Sequence, residues 1–198
     1  MTESIATLPP SVIRGRIRHH TLPPLPLPPE LKAKLRPAAV LVPLLKKHGE
    51  WYLLLTRRTQ RVGNHKGQVA FPGGAMEPGD PSLEAAALRE TFEEIGVPPE
   101  VVEIVGRLPA QPVISGFLVT PIVAFLPSQV RLNPAPAEIA HVFTVPLAWL
   151  SNPDHVSLAA THTWEGMEYP VYYYQPYEGE VIWGLTARII QNLISALT

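Results

Sequence analysis

The chain contains no cysteine, which excludes disulfides and thiolate metal sites and leaves oxygen or imidazole as the donors for any bound metal. It also lacks a run of about 18 apolar residues, as a membrane-spanning helix requires, and an apolar core of the signal-peptide kind near its start. Net charge is only -1, so nothing in the charge balance calls for bulk nucleic-acid binding. A serine-nucleophile elbow and a glycine-rich dinucleotide fingerprint are both missing, which removes those enzyme classes. His19, His20, His48, His65, His141, His155 and His162 are scattered, with no two on one helical face as a zinc site would want. The 198 residues, 46% of them hydrophobic, suffice for one domain with a real core. The expectation is a soluble cytoplasmic protein without nucleic-acid or membrane partners, with homodimer formation left open.

Proline is plentiful but unevenly placed. Pro9, Pro10, Pro23, Pro24, Pro26, Pro28 and Pro29 crowd residues 1–35, which reads as an arm, extended over the domain or partly disordered. Arg14, Arg16, Arg18, His19 and His20 make it basic. From residue 36 to 198 the pattern is globular. Ala38–Leu45 and Trp51–Thr56 are expected strands joined by a turn at Lys47–Glu50. Gln68–Phe71, Val101–Val105, Leu118–Phe125 and Tyr169–Tyr174 are further candidates, the last near an edge because of Pro170. A helix from about Trp183 carries Leu185, Ile189, Leu193 and Leu197 on one face. Strands interleaved with so few helices argue α+β, or a three-layer sandwich around a mixed sheet.

The chemistry concentrates between Phe71 and Val97. Asp80 is the expected cap of a helix, Pro81 its first position and Gly96 its stop. Ala85, Leu88, Phe92 and Ile95 form the apolar stripe expected to face the core. Glu90, Glu93 and Glu94 then share another side, in the last two turns, where the helix dipole disfavours anions. A hard divalent cation such as Mg²⁺ would supply the missing positive charge. Gly73 and Gly74, just ahead of the helix, permit close backbone approach, so the Gly74 carbonyl is a candidate ligand for the same ion. Arg57, Arg58, Arg61, His65 and Lys66 stand upstream. Acidic face plus basic loop is the equipment of a metal-dependent phosphoryl enzyme.

The stretch GGAMEPGDPSLEAAALRETFEEIGV resembles a Nudix box, the loop-helix motif of enzymes that hydrolyse a nucleoside diphosphate linked to another group. Gly74, Arg89, Glu90, Glu93, Glu94, Gly96 and Val97 match. Three positions depart: Asp80 replaces a glutamate, eight residues rather than seven separate it from Arg89, and Thr91 takes an apolar place. These departures resemble the coenzyme A diphosphatase branch. So does LLTRRTQRVGNHKGQVAFPGG upstream, although Thr59 and Gly63 differ from the usual residues and Gly63 stands where an arginine is usual. SGFLVTPIVAF, EIAHVFTVPLAWL and WGLTA extend the likeness to about residue 36 through the C-terminus.

The resemblance implies a Nudix fold, an α/β/α sandwich around a mixed sheet, and attack of water on a diphosphate with Mg²⁺ or Mn²⁺. Coenzyme A would give 4′-phosphopantetheine and adenosine 3′,5′-bisphosphate. Another small diphosphate, such as ADP-ribose, NADH or a capped RNA end, is the alternative; a non-catalytic binding module is a third. The implied metal ligands are Glu90, Glu94 and Gly74, with Glu93 a third carboxylate or the group that polarises water. Arg89 would hold a glutamate in place, with Asp80 as its structural partner. Glu138 is a candidate acid from outside the box, against the plainer reading of a surface residue before a helix. Arg58, Arg61 and Lys66 are candidates for the phosphates. Phe117 or Trp149 could stack on adenine, though large aromatics are more often core.

Overall fold

The computed structural model describes residues 4–60 and 66–198. Its framework is a mixed sheet. β1 (Arg36–Lys47) and β2 (Glu50–Arg58) form a hairpin, with Leu44 opposite Leu53. Both turn residues, His48 and Gly49, have positive φ (51° and 86°), the geometry a two-residue turn needs to match strand twist. β3 (Val69–Ala70) pairs with β2, and β4 (Gly73–Ala75) with β1. On the other side of β1 lies β7 (Phe117–Phe125), the parallel neighbour, flanked in turn by β5 (Glu103–Arg107) and β6 (Gln111–Val113). β8 (Ile139–Pro146) adds to the far side of β2. A separate hairpin joins β9 (Val156–Trp164) to β10 (Met167–Tyr174).

Strand alternation sends side chains to two layers. Ala39, Leu41, Ile122 and Ala124 face α3 (Leu83–Ile95) and pack on Ala86 and Ala87. Val42, Leu44, Leu53, Leu55 and Val123 face the opposite way, onto α1 (Pro10–His19) and α5 (Gly184–Leu197). The result is the expected α/β/α arrangement. α5 buries Ile189, Leu193 and Leu197 as its spacing requires, while Leu185 is only partly covered.

The first 35 residues depart from the expected extended arm. Pro10 sits in the first turn of α1, and Ile13 and Ile17, four apart, are buried in the main core together with Leu8. The Trp51 indole donates to the Leu8 carbonyl at 2.7 Å and its backbone N–H to Ala6 at 2.8 Å. Arg14 pairs with Glu103 on β5 at 2.7 Å. Proline density suggested an extended chain, but the apolar spacing in the gap between Pro10 and Pro23 decides the local structure. α2 (Pro29–Lys34) is a short second turn, with no buried residue, before β1.

Other boundaries shift for identifiable reasons. The expected strand at Val101 begins only at Glu103, because Pro99–Val101 form a single 3₁₀ turn. Gly106 lies directly beneath α1: a Cβ there would stand 2.9 Å from Ile17 Cγ2. Ile17→Ala is expected to cost about 2–4 kcal/mol, since it removes a fully buried aliphatic group. Denaturant unfolding at pH 7 measures it; a loss under about 0.5 kcal/mol would show that α1 is not docked in solution.

Candidate active site

α3 is capped by Ser82, not by Asp80: the Ser82 hydroxyl accepts from the Ala85 amide at 3.1 Å. Gly96 does end the helix, in the left-handed conformation (φ 72°). The buried face comprises Ala86, Ala87, Thr91, Glu94 and Ile95, whereas Phe92 is 52% exposed. The face is rotated by roughly a third of a turn from the one that apolar spacing alone predicts. The rotation turns Glu94 inward. Thr91 is tolerated in the core because its hydroxyl donates to the Ala87 carbonyl at 2.6 Å.

Glu94 is almost fully enclosed, with 5% of its side chain exposed. It accepts from Arg58 Nη1 at 3.0 Å and from the Gly73 amide at 3.1 Å. Burial pushes its carboxyl up to about 7, with Glu90 and Glu138 adding repulsion that Arg58 and the Gly73 N–H only partly offset. Glu90 is shifted upward as well, first by burial, against the opposing pull of Arg89 and with added repulsion from Glu93 and Glu138. Four carboxylates are therefore close enough to sense one another. Glu93 is the most open of the box, at 55% exposure.

Arg89 spends all five of its N–H donors inside the protein. Nε and Nη2 grip both oxygens of Asp80 at 3.1 and 3.0 Å, Nη1 reaches Glu90 at 3.0 Å and Glu93 at 3.2 Å, and Nη2 also donates to the Ala75 carbonyl at 3.1 Å. The Arg89 bonds in turn hold the Asp80 carboxyl below its ordinary range. Asp80 thus fastens the loop to the helix through Arg89 rather than capping the helix.

Gly74 lies hard against Glu90: a Cβ there would fall 2.6 Å from the carboxyl carbon. Gly73 has φ +150° and stands where a Cβ would meet the Ala39 carbonyl at 2.4 Å, so only glycine serves. β4 holds the pair in register, Gly74 opposite Ala39. Glu138 arrives from the loop before β8, not from a helix start. Asn133 and Ala135 donate their amides to the Ile95 and Glu94 carbonyls at 2.8 and 2.9 Å, which ties that loop to the end of α3. Glu138 Oε2 then stands 3.6 Å from Arg58 Nη2.

Other candidates are placed less centrally. Lys66 is exposed beside the loop. Arg61, Gly63 and His65 fall outside the described residues. Phe117 is half-buried beneath the Arg36 guanidinium, 5.0 Å from its ring centroid. Trp149 is partly buried and stacks on His155 and Tyr174, with the Tyr177 ring edge-on beside it. Sequence reasoning missed a buried carboxylate, Glu180, which binds Arg57 at 2.5 Å and His141 at 3.2 Å. Its signal was weak: one of two acids, with Glu178, on either side of a single glycine.

A NUDIX domain model matches residues 34–164. The chain belongs to the Nudix family. It is 44% identical over 174 residues to an uncharacterized Nudix hydrolase NudL of Photorhabdus laumondii, covering 85% of this chain and 89% of that one. The NudL of an Enterobacter species is 43% identical over 164 residues, covering 80% and 81%. A MutT/nudix family protein from Enterococcus faecalis shares the fold at a TM-score of 0.53 and 17% identity, covering 96% of this chain and 73% of that one. This Nudix chain is therefore a hydrolase of diphosphate-containing substrates, with a nucleoside diphosphate derivative as the substrate class.

Nudix hydrolases generally use divalent metal ions, and the donors fit one. Oxygen donors gather here: the Glu90 carboxylate lies against Gly74 and the Glu94 carboxylate accepts from the Gly73 amide, and oxygen is the choice of a hard cation. Burial first, and mutual repulsion after it, raises both carboxyls. Among the described residues no three His, Asp or Glu side chains close on one point as ligands do. Arg58 and Arg89 hold these carboxylates instead.

Because Glu94 binds its proton more tightly folded than unfolded, the metal-free protein should lose stability as pH rises from 4.5 to about 7. Glu90 acts in the same direction. Glu94→Gln should flatten that slope, as read from denaturant midpoints between pH 4.5 and 8. Parallel pH profiles for the two proteins would refute the assigned proton affinity.

Proposed function

We propose that this Nudix hydrolase cleaves the diphosphate of coenzyme A and its derivatives, giving 4′-phosphopantetheine and adenosine 3′,5′-bisphosphate. The observation that carries the reading is the meeting of two signatures. Arg58, from the upstream element, binds Glu94 of the box, and the Phe71–Gly74 end of that element supplies the amide and the close approach on which Glu94 and Glu90 rest. Asp80 and the longer spacer, the departures that favour this branch, have a concrete use in fastening Arg89.

In this reading Glu90, Glu94 and the Gly74 carbonyl hold Mg²⁺ or Mn²⁺. The ion, when bound, balances charge on the diphosphate oxygens and makes an attacking water easier to deprotonate. Glu93, open to solvent, is either the third ligand or the group that receives the water proton; Glu138 is the other candidate for that proton. Arg89 has no donor left for substrate, so it positions Glu90 and Glu93. Arg58 answers the carboxylates first, which leaves Lys66 as the described cation free to approach phosphate oxygens. One water adds across the P–O–P bridge, its hydroxyl going to one phosphorus and its proton ultimately to the leaving phosphate.

A panel of coenzyme A, ADP-ribose, NADH and capped RNA, each with Mg²⁺ and Mn²⁺, tests the substrate. The highest kcat/KM is expected for coenzyme A; preference for any of the others overturns the assignment. Glu94→Gln is expected to lower kcat by at least about 10³-fold, since it removes a charged group from the reacting centre. Far-UV circular dichroism should stay unchanged. Retained turnover would take α3 out of the chemistry.

A further inference from the structure

Glu180 is a buried carboxylate that the chemistry above leaves without a task; 11% of its side chain is exposed. It lies between β10 and α5 and closes a two-residue turn. Tyr177 and Glu180 exchange both backbone hydrogen bonds at 2.9 Å, and Glu178 and Gly179 between them have φ 51° and 83°. Two residues on, Ile182 is fully buried and its carbonyl accepts from the Tyr174 amide at 2.9 Å. The carboxylate is thus presented from a fixed point. Each oxygen has its own partner: Oε2 accepts from Arg57 Nη1 at 2.5 Å, and Oε1 lies 3.2 Å from His141 Nε2.

Arg57 and His141 face each other across the β2–β8 ladder, and they are the last pair before its register shifts. Arg58, next along, meets Ile139, so Ala140 is the extra residue of a bulge, where a ladder is locally weakened. Ile139 is buried, but Ala140 and His141 are both exposed. Apolar burial therefore does not choose which of those two is the extra one. Beyond the bulge the Thr59 amide donates to the Glu138 carbonyl at 2.7 Å. Arg58 and Glu138 leave the strands here; Arg58 bonds Glu94 at 3.0 Å and stands 3.6 Å from Glu138. Arg57 is also gripped from the other side of β2. It pairs with Val69 of β3, whose carbonyl accepts from the Thr186 hydroxyl of α5 at 3.0 Å.

We propose that Glu180 is a positioning residue for the hydrolysis: by joining Arg57 to His141 it fixes the strand ends from which Arg58 and Glu138 reach Glu94. The inference rests on the reading that the α3 carboxylates carry the reaction. Arg57 and Arg58 point to opposite layers, so Glu180 acts through the strands and not on substrate or metal.

The test compares wild type, Glu180→Ala and Glu180→Gln on the preferred diphosphate of the panel above. Glu180→Ala should lower kcat about ten- to hundredfold with KM within about threefold of wild type, as when reacting groups are displaced and substrate contacts are kept. Glu180→Gln, which retains hydrogen-bonding capacity toward both partners, should fall between. In parallel, amide exchange at Thr59, read by NMR, should quicken in Glu180→Ala by at least about tenfold beyond what any fall in global stability explains. Slower turnover with Thr59 protected as in wild type overturns the proposal, because the loss then travels by another route. Unchanged turnover with unchanged protection overturns it too, as does a raised KM at normal kcat. Unchanged turnover with Thr59 loosened is the other failure: the clamp stands, and the site reading beneath the proposal falls. Should Glu180→Ala unfold, Glu180→Gln carries the same comparison.

Discussion

The end of α3 is organised by a conflict: carboxylates deprived of water are placed where the helix dipole is already negative. The strand-loop register forces it. β4 holds Gly73 and Gly74 against β1, and their missing side chains let the backbone press onto Glu94 and Glu90. Two devices make the arrangement tolerable without removing it. Amides of Asn133 and Ala135 occupy the last carbonyls of α3, and two arginines are brought to the carboxylates. Neither device fully discharges Glu94, which keeps a raised affinity for its proton. Such incomplete compensation leaves a cation something to do, because a site already neutral would gain little from binding one.

β2 explains how two charge clusters grow from one strand end. Arg57 and Arg58 are neighbours, yet alternation directs them to opposite layers, and the pairing with β8 shifts register between them. Arg58 reaches Glu94 and Glu138 on the α3 side. Arg57 reaches Glu180 on the other side, with His141 sharing the same carboxylate. A slip of one residue would send each arginine to the other's layer and undo both sets of contacts.

What could be read in the sequence was whatever is local. The turn at His48-Gly49, the stop at Gly96, the strands around Val42 and Val123, and the cluster Glu90, Glu93 and Glu94 depend on near neighbours in the chain, and their chemistry is visible as spacing. The face of α3 was not legible, because Phe92 satisfies an apolar period while the sheet selects Ala86 and Ala87, small enough to let the helix approach. Asp80 had two chemically sound uses, cap or clamp, and only the distance to Arg89 decides between them. The helix at Pro10–His19 was hidden by prolines that flank it. Glu138 and Glu180 were hardest, since each is brought to its partners by pairings far away in sequence.

The three arginines Arg89, Arg58 and Arg188 form a series in how completely their charge is answered. Arg89 is saturated and works as a structural brace, with Asp80 fixing its plane so that Glu90 and Glu93 cannot drift. Arg58 is shared between one buried and one open carboxylate, and its Nε has no partner, so its balance changes with anything that enters the site. Among the described residues Arg188 meets a carbonyl and a ring. Saturation removes an arginine from ligand recognition as surely as burial does, because a new anion must first displace an existing one. A guanidinium already committed to carboxylates therefore braces the site, while one less completely answered keeps donors for other acceptors.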